Sequence, residues 1–136
     1  PAELLRAAAS DVDANARIRI ADTSAPRSWP LDADRMRQVL VNLLENAAEM
    51  SDGPIDAAVE RSGAALRFTV RDHGPGLPDS DLERLFEPFF TRRTRGTGLG
   101  LAVCKRLVDL HGGTIAARNA DGGGAEFEIS LPRGAA

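Results

Sequence analysis

Apolar positions recur along this chain in two periods, and the changes from one to the other mark its elements. Leu4, Leu5, Ala8 and Val12 share one side of a helix predicted over 2–14. Arg17-Ile18-Arg19-Ile20 alternates as a strand does, and the stretch from Ser24 to Pro30, with Pro26 and Pro30, reads as a loop. The strongest repeat follows. Met36, Val39, Leu40, Leu43, Leu44, Ala47 and Met50 recur at helical spacing, with Asp32 at the N-cap position and Ser51-Asp52-Gly53-Pro54 as the stop. Strands are predicted at 55–60 and 65–71, joined at Ser62-Gly63; in the second, Leu66, Phe68 and Val70 face one way and Arg67, Thr69 and Arg71 the other. After the turn Asp72-His73-Gly74-Pro75-Gly76 come a short helix over 81–86 and a basic, Gly-rich stretch from Thr91 to Gly100. A helix from Leu99 to Leu110 is stopped by Gly112-Gly113, and two strands, 114–118 and 126–131, finish the chain, with Phe127, Ile129 and Leu131 facing inward. Helices and strands in this mixed order, without a regular βαβ repeat, predict an α+β sandwich with helices packed on one face of a mixed sheet.

Composition narrows the function classes. A chain of 136 residues is one domain's worth, and 43% hydrophobic with 27% charged residues is an ordinary globular balance. The domain is therefore read as 1–136, a fragment of a longer chain because Pro1 is no translation start. A net charge of -3 gives no broad attraction to a phosphate backbone, so no nucleic-acid partner is expected. One Cys allows neither an internal disulfide nor a zinc cluster. Apolar runs are too short to span a bilayer, so no membrane contact is expected of this domain.

Three groups of residues stand out. Asn42 and Asn46 lie four apart, hence on one face, beside the apolar stripe of their helix. Amides there need partners, and either helix–helix hydrogen bonds or a hard cation such as magnesium would supply them. Asp72-x-Gly74-x-Gly76 ends an inward-alternating strand. It is either a turn with a local acceptor, or a place where backbone approaches a flat ligand and the carboxylate meets an exocyclic amine. Gly96-Thr97-Gly98-Leu99-Gly100-Leu101 opens a helix behind Arg92, Arg93 and Arg95. It reads as a solvated loop or as an anion site built from free N–H groups and guanidinium forks.

Taken in order, Asn42-x-x-x-Asn46, Asp72-x-Gly74-x-Gly76, Phe86-Glu87-Pro88-Phe89-Phe90 and Gly96-Thr97-Gly98-Leu99-Gly100-Leu101 resemble the N, G1, F and G2 boxes of the catalytic and ATP-binding domain of two-component sensor histidine kinases, within the GHKL ATPase group. Leu110-His111-Gly112-Gly113 matches as well, and the similarity covers nearly the whole chain. The resemblance implies a Bergerat-type two-layer sandwich with ATP between helices and sheet. By it Asn46 would ligate the magnesium ion that bridges the phosphates, and Asn42 would line the same pocket, both as catalytic residues. Asp72 would accept from the adenine amino group, with Gly74 and Gly76 keeping the turn close to the base. Residues 78–97 would form a short lid anchored by Phe86, Phe89 and Phe90, with Arg93 facing the phosphates and Gly96, Thr97, Gly98, Leu99 and Gly100 forming the phosphate-side turn.

The same resemblance implies partners and limits. The γ-phosphoryl would pass to a histidine on a separate dimerisation domain, and from there to a response regulator. The domain would be cytoplasmic and monomeric alone, within a homodimeric parent whose membrane anchoring is left open. Neither His73, inside the G1 turn, nor His111, at a helix end, sits in an acceptor motif. Cys104 reads as core, and Trp29 as cover for a core edge. Two positions depart from the pattern: Glu49 stands where many kinases carry Lys, and Ala125 replaces a frequent Thr. These keep a degenerate nucleotide-binding module as an alternative. ATP-hydrolysing relatives carry Glu at the position of Asn42, and an amide cannot serve as their general base, which disfavours a GHKL ATPase clamp.

Overall fold

The computed structural model describes residues 1–88 and 100–133, apart from the side chains of residues 22–24. Helix α1 (Ala2–Ser10) leads through a short 3-10 turn at Asn15–Arg17 into β1 (Ile18–Ser24). Helix α2 (Ala33–Met50) is followed by β2 (Ile55–Ser62), β3 (Ala65–Arg71) and a single helical turn, α3 (Asp79–Leu82). Helix α4 (Gly100–Leu110) precedes β4 (Thr114–Asn119) and β5 (Ala125–Pro132). The five strands form one sheet in the order β1-β2-β3-β5-β4. Only the β1–β2 pair is parallel, because α2 supplies the long crossover that parallel neighbours require. The expected α+β sandwich on a mixed sheet is the fold observed.

Three boundaries differ from the periodic reading by more than two residues. The first helix stops at Ser10, although Val12 still enters the core at 3% exposure. Strand β1 runs on to Ser24, into the stretch read as loop. The helix read at 81–86 is instead the single turn Asp79–Leu82, with Pro78 at its N-cap.

Helices α1, α2 and α4 lie on one side of the sheet. The inward residues Ile55, Ala57 and Val59 of β2, Leu66, Phe68 and Val70 of β3, and Phe127, Ile129 and Leu131 of β5 are buried against Leu5, Met36, Val39, Leu40, Leu43, Leu44, Cys104 and Val108. On the other face the register sets Arg19, Asp56, Arg71, Glu126 and Arg118 side by side across all five strands. Their signs alternate, and Arg19–Asp56 at 2.7 Å and Arg118–Glu126 at 2.8 Å form ion pairs. That face is a charged, solvated surface.

Helix α2 is fixed at both ends. Asp32 caps it, its Oδ1 accepting from Arg35 N–H at 3.1 Å. His111 adds a second tie there: its Nε2 accepts from Asp32 N–H at 3.0 Å, while Nδ1 bonds the Leu107 carbonyl of α4 at 2.8 Å. At the other end the Arg17 guanidinium donates to the carbonyls of Ala48 (3.1 Å), Ser51 (2.7 Å) and Gly53 (2.8 Å), where a helix leaves acceptors unmet. Trp29 covers the far edge of the core, its indole donating to the Pro132 carbonyl at 3.2 Å.

Arg17→Ala strips the C-terminal carbonyls of α2 of their donor. Its expected effect is a stability loss of about 1–3 kcal/mol, read as a lower urea midpoint with an unchanged slope.

Candidate functional site

The site begins with Asp72, which follows β3 and is buried at 1% exposure. Its Oδ1 accepts from Gly74 N–H at 2.9 Å and from Ala125 N–H at 3.3 Å, and its own N–H bonds the Ala125 carbonyl at 3.1 Å. The second oxygen, Oδ2, makes no hydrogen bond to the described residues. A carboxylate this buried, with one oxygen braced by amides and the other open, can accept from a ligand donor.

The glycines around it have specific steric reasons. A Cβ on Gly74 would stand 2.2 Å from the Met50 carbonyl, so the turn presses directly on the last residue of α2. Gly76 has φ +80°, and a Cβ there would lie 2.7 Å from Asn119 Oδ1. Gly124 has φ +84°, and its Cβ would fall 1.9 Å from the Asp72 carbonyl oxygen. The resemblance implies that Gly74 and Gly76 keep the turn close to a base. Both are also required by contacts within the protein.

Helix α2 supplies the second group. Asn46 is buried at 7% exposure, and its side chain makes no hydrogen bond among the described residues. Asn42, one turn earlier, is half-buried and reaches the Cys104 thiol on α4. The two amides therefore differ. Asn42 has a protein neighbour, whereas Asn46 is a buried amide open to a ligand, which an oxygen-seeking ion such as magnesium would fit. Among the described residues no group of three or more His, Cys, Asp or Glu could hold a metal. An ion held largely by a ligand's phosphates needs few protein donors. Glu49 is exposed on the same helix.

The remaining expected residues divide in two. Phe86 packs edge-to-face on Phe127 of β5, with centroids 6.2 Å apart and planes at 85°, so the first residue of the F motif is anchored to the sheet. Helix α4 opens at Gly100, the last glycine of the Gly-rich motif. Phe89, Arg93, Gly96, Thr97, Gly98 and Leu99 lie outside the described residues, as do Phe90, Arg92 and Arg95.

Several contacts were missed from sequence. Asn119 and the 120–124 turn pack against the Asp72–Leu77 segment, with Arg71 donating to the carbonyls of Asp121 at 2.9 Å and Gly123 at 3.0 Å. The run of Gly122, Gly123 and Gly124, all at positive φ, was the available signal for a tight turn there. His73 is held by Asp56 at 2.7 Å, and the hydrogen bond from Arg19, helped by His73, keeps the Asp56 carboxyl below its ordinary range.

Cys104 is core, as expected. It is fully buried, and burial pushes its thiol from 9.0 up to about 12, with the neighbouring Asn42 amide pulling the other way. Folding therefore favours the neutral thiol. Stability linked to it is complete below pH 9.0 and is lost as pH rises through about 12. The native thiol is expected to resist alkylation at pH 8 and to react fully in denaturant, as a timed thiol-labelling assay would show.

Comparison with known proteins agrees with this geometry. Residues 31–135 match the family described as histidine kinase-, DNA gyrase B- and HSP90-like ATPases. The sensor histidine kinase ZraS of Escherichia coli O157:H7 is 40% identical over 125 residues, covering 88% of this chain and 27% of that protein. The chain thus spans about a quarter of the length of that curated relative. The catalytic domain of histidine kinase ThkA superposes with a TM-score of 0.83 at 33% identity, covering 96% of this chain and 91% of that one. Full-length ShkA in complex with AMPPNP gives 0.83 at 31% identity, covering 98% and 30%. With the family matched from the start of α2 to the end of the sheet, and the fold shared with an isolated kinase domain, the chain belongs to the histidine kinase-, DNA gyrase B- and HSP90-like ATPases, as a sensor-histidine-kinase catalytic domain.

Proposed function

We propose that this chain binds ATP with magnesium and transfers the γ-phosphoryl group to a histidine on a separate dimerisation domain of its parent protein. The observation that carries the reading is Asp72, a buried carboxylate with Oδ1 on the Gly74 and Ala125 amides and Oδ2 open. In this reading Oδ2 accepts from the exocyclic amine of adenine, and Gly74 and Gly76 form the turn beside the base. Asn46 turns its free amide oxygen to the metal. Magnesium supplies neutralisation of the phosphate charge. Asn42, with Phe89, Arg93 and the Gly96, Thr97, Gly98, Leu99 and Gly100 turn, completes the phosphate side.

The transfer breaks the bond between the γ-phosphorus and the bridging oxygen of ADP and forms a phosphorus–nitrogen bond to the acceptor imidazole. Asn42 has no basic group with which to activate water, so hydrolysis is slow and the phosphoryl group is kept for the protein acceptor. Positioning and charge neutralisation then carry the catalysis. The acceptor domain and a downstream response regulator are the partners this reading requires. No helix among the described residues is long and apolar enough to cross a membrane.

A degenerate module that binds nucleotide without transfer is the competing reading, motivated by Glu49 and Ala125. Ala125 works against it: it is buried at 1% exposure and meets Asp72 through its backbone, which Ala provides as well as Thr does.

Calorimetric titration with ADP and a non-hydrolysable ATP analogue, with and without magnesium, tests the site. Asp72→Ala is expected to weaken both nucleotides by about ten- to a hundredfold, metal present or absent, as befits loss of a hydrogen bond to a charged acceptor. Asn46→Ala is expected to abolish only the gain in affinity that magnesium confers. Normal binding by both variants would refute the assignment. Labelled ATP with a supplied histidine domain then separates a kinase from a module that binds without transfer.

A further inference from the structure

Asn119, the last residue of β4, lies outside every motif, yet it grips one of them with both ends of its amide. Its Oδ1 accepts from Leu77 N–H at 2.8 Å, and its Nδ2 donates to the Leu77 carbonyl at 2.7 Å. One side chain thus replaces a neighbouring strand, satisfying both backbone groups of Leu77, a residue buried at 7% exposure. The approach is possible because Gly76 has no Cβ: one would stand 2.7 Å from Asn119 Oδ1.

The grip is part of a larger brace. Behind Asn119 the turn closes on itself, Ala120 N–H bonding the Gly124 carbonyl at 2.8 Å and Gly123 N–H the Ala120 carbonyl at 3.2 Å. The next residue, Ala125, holds Asp72 through both of its backbone groups. The segment from Asp72 to Leu77 is therefore tied at each end to the same hairpin, by Ala125 at one end and by Asn119 at the other. With one tie alone it would pivot about Asp72. With two, that pivoting is restrained, and with it the open oxygen of Asp72.

We propose that Asn119 is a positioning residue for nucleotide binding, fixing the far end of the turn that carries Asp72 so that its free oxygen meets the base without reorganisation. The proposal rests on reading Asp72 as the base-binding residue. A side chain that merely packs a loop would leave affinity unchanged. A positioning one is coupled to the ligand, and coupling is reciprocal: the factor by which the grip raises ADP affinity is the factor by which ADP stabilises the grip.

The test is calorimetric titration of the 136-residue chain with ADP, comparing wild type, Asn119→Ala and Asp72→Ala, with thermal melts of each. Asn119→Ala is expected to melt cooperatively and to bind ADP about tenfold more weakly, the equivalent of one to two ordinary hydrogen bonds. Wild-type affinity in Asn119→Ala beside lost affinity in Asp72→Ala would overturn the proposal and leave the base site standing. Wild-type affinity in Asp72→Ala would overturn the base site itself. Should Asn119→Ala fail to fold, hydrogen exchange of the Leu77 amide in the unaltered protein decides. Saturating ADP is expected to slow it about tenfold by the same reciprocity, and an unchanged rate would overturn the proposal.

Discussion

Burial of the Asp72 carboxylate is the constraint on which the site depends. A charge removed from water is tolerated only with hydrogen-bond donors fixed around it, and here those donors are backbone amides of Gly74 and Ala125. Backbone donors require backbone proximity. The end of β3, the turn after it, the start of β5 and the end of α2 must converge with no side chains between them. Gly74 against Met50 and Gly124 against Asp72 are the points where that condition leaves room for hydrogen alone. The sheet order follows the same logic, since β3 must neighbour β5 for Asp72 and Ala125 to exchange bonds.

Most of the architecture was legible because it is locally periodic. The stripe from Met36 to Ala47 is buried as its spacing implied, Asp32 caps it, and the inward residues of β3 and β5 are those the alternation picked out. Periodicity was less informative where tertiary contacts set an element's end. Val12 is buried beyond the end of α1, so its burial extended the apparent helix past Ser10. Strand β1 continues into the predicted loop because it has β2 to pair with, through an irregular register between Ala21 and Ser24.

Burial of the polar residues Asp72 and Asn46 was legible in the sequence, but the contacts that hold them were not. Asp72, Asn46, Gly74 and Gly76 were singled out for what a ligand would need, whereas the structure also gives Gly74 and Gly76 close neighbours inside the protein. Asn119 had no local signature at all. Its partner Leu77 lies 42 positions away, and the bidentate grip exists only once the β4–β5 hairpin is set beside the turn. Arg17 was hidden in the same way, read as part of an alternating strand while its guanidinium closes α2 from across the chain. Side chains that bond remote backbone leave no periodic trace, because one residue in one place is sufficient.

The two asparagines on α2 show how a single helix can serve both packing and chemistry. Asn42, half-buried, faces α4 and reaches the buried Cys104 thiol; Asn46 lies one turn on, more deeply buried and without a hydrogen-bond partner among the described residues. A helix free to rotate or slide would blur that distinction. Here Asp32 and His111 tie its first turn to α4, and Arg17 ties its last turn to the start of β1. Fixing both ends sets the rotation of the helix and therefore which amide meets protein and which remains open. Together with the two ties on the Asp72–Leu77 segment, this leaves the amide of Asn46 and the carboxylate of Asp72 on elements that are each held at both ends. That is the physical condition for binding a ligand without reorganising the protein around it.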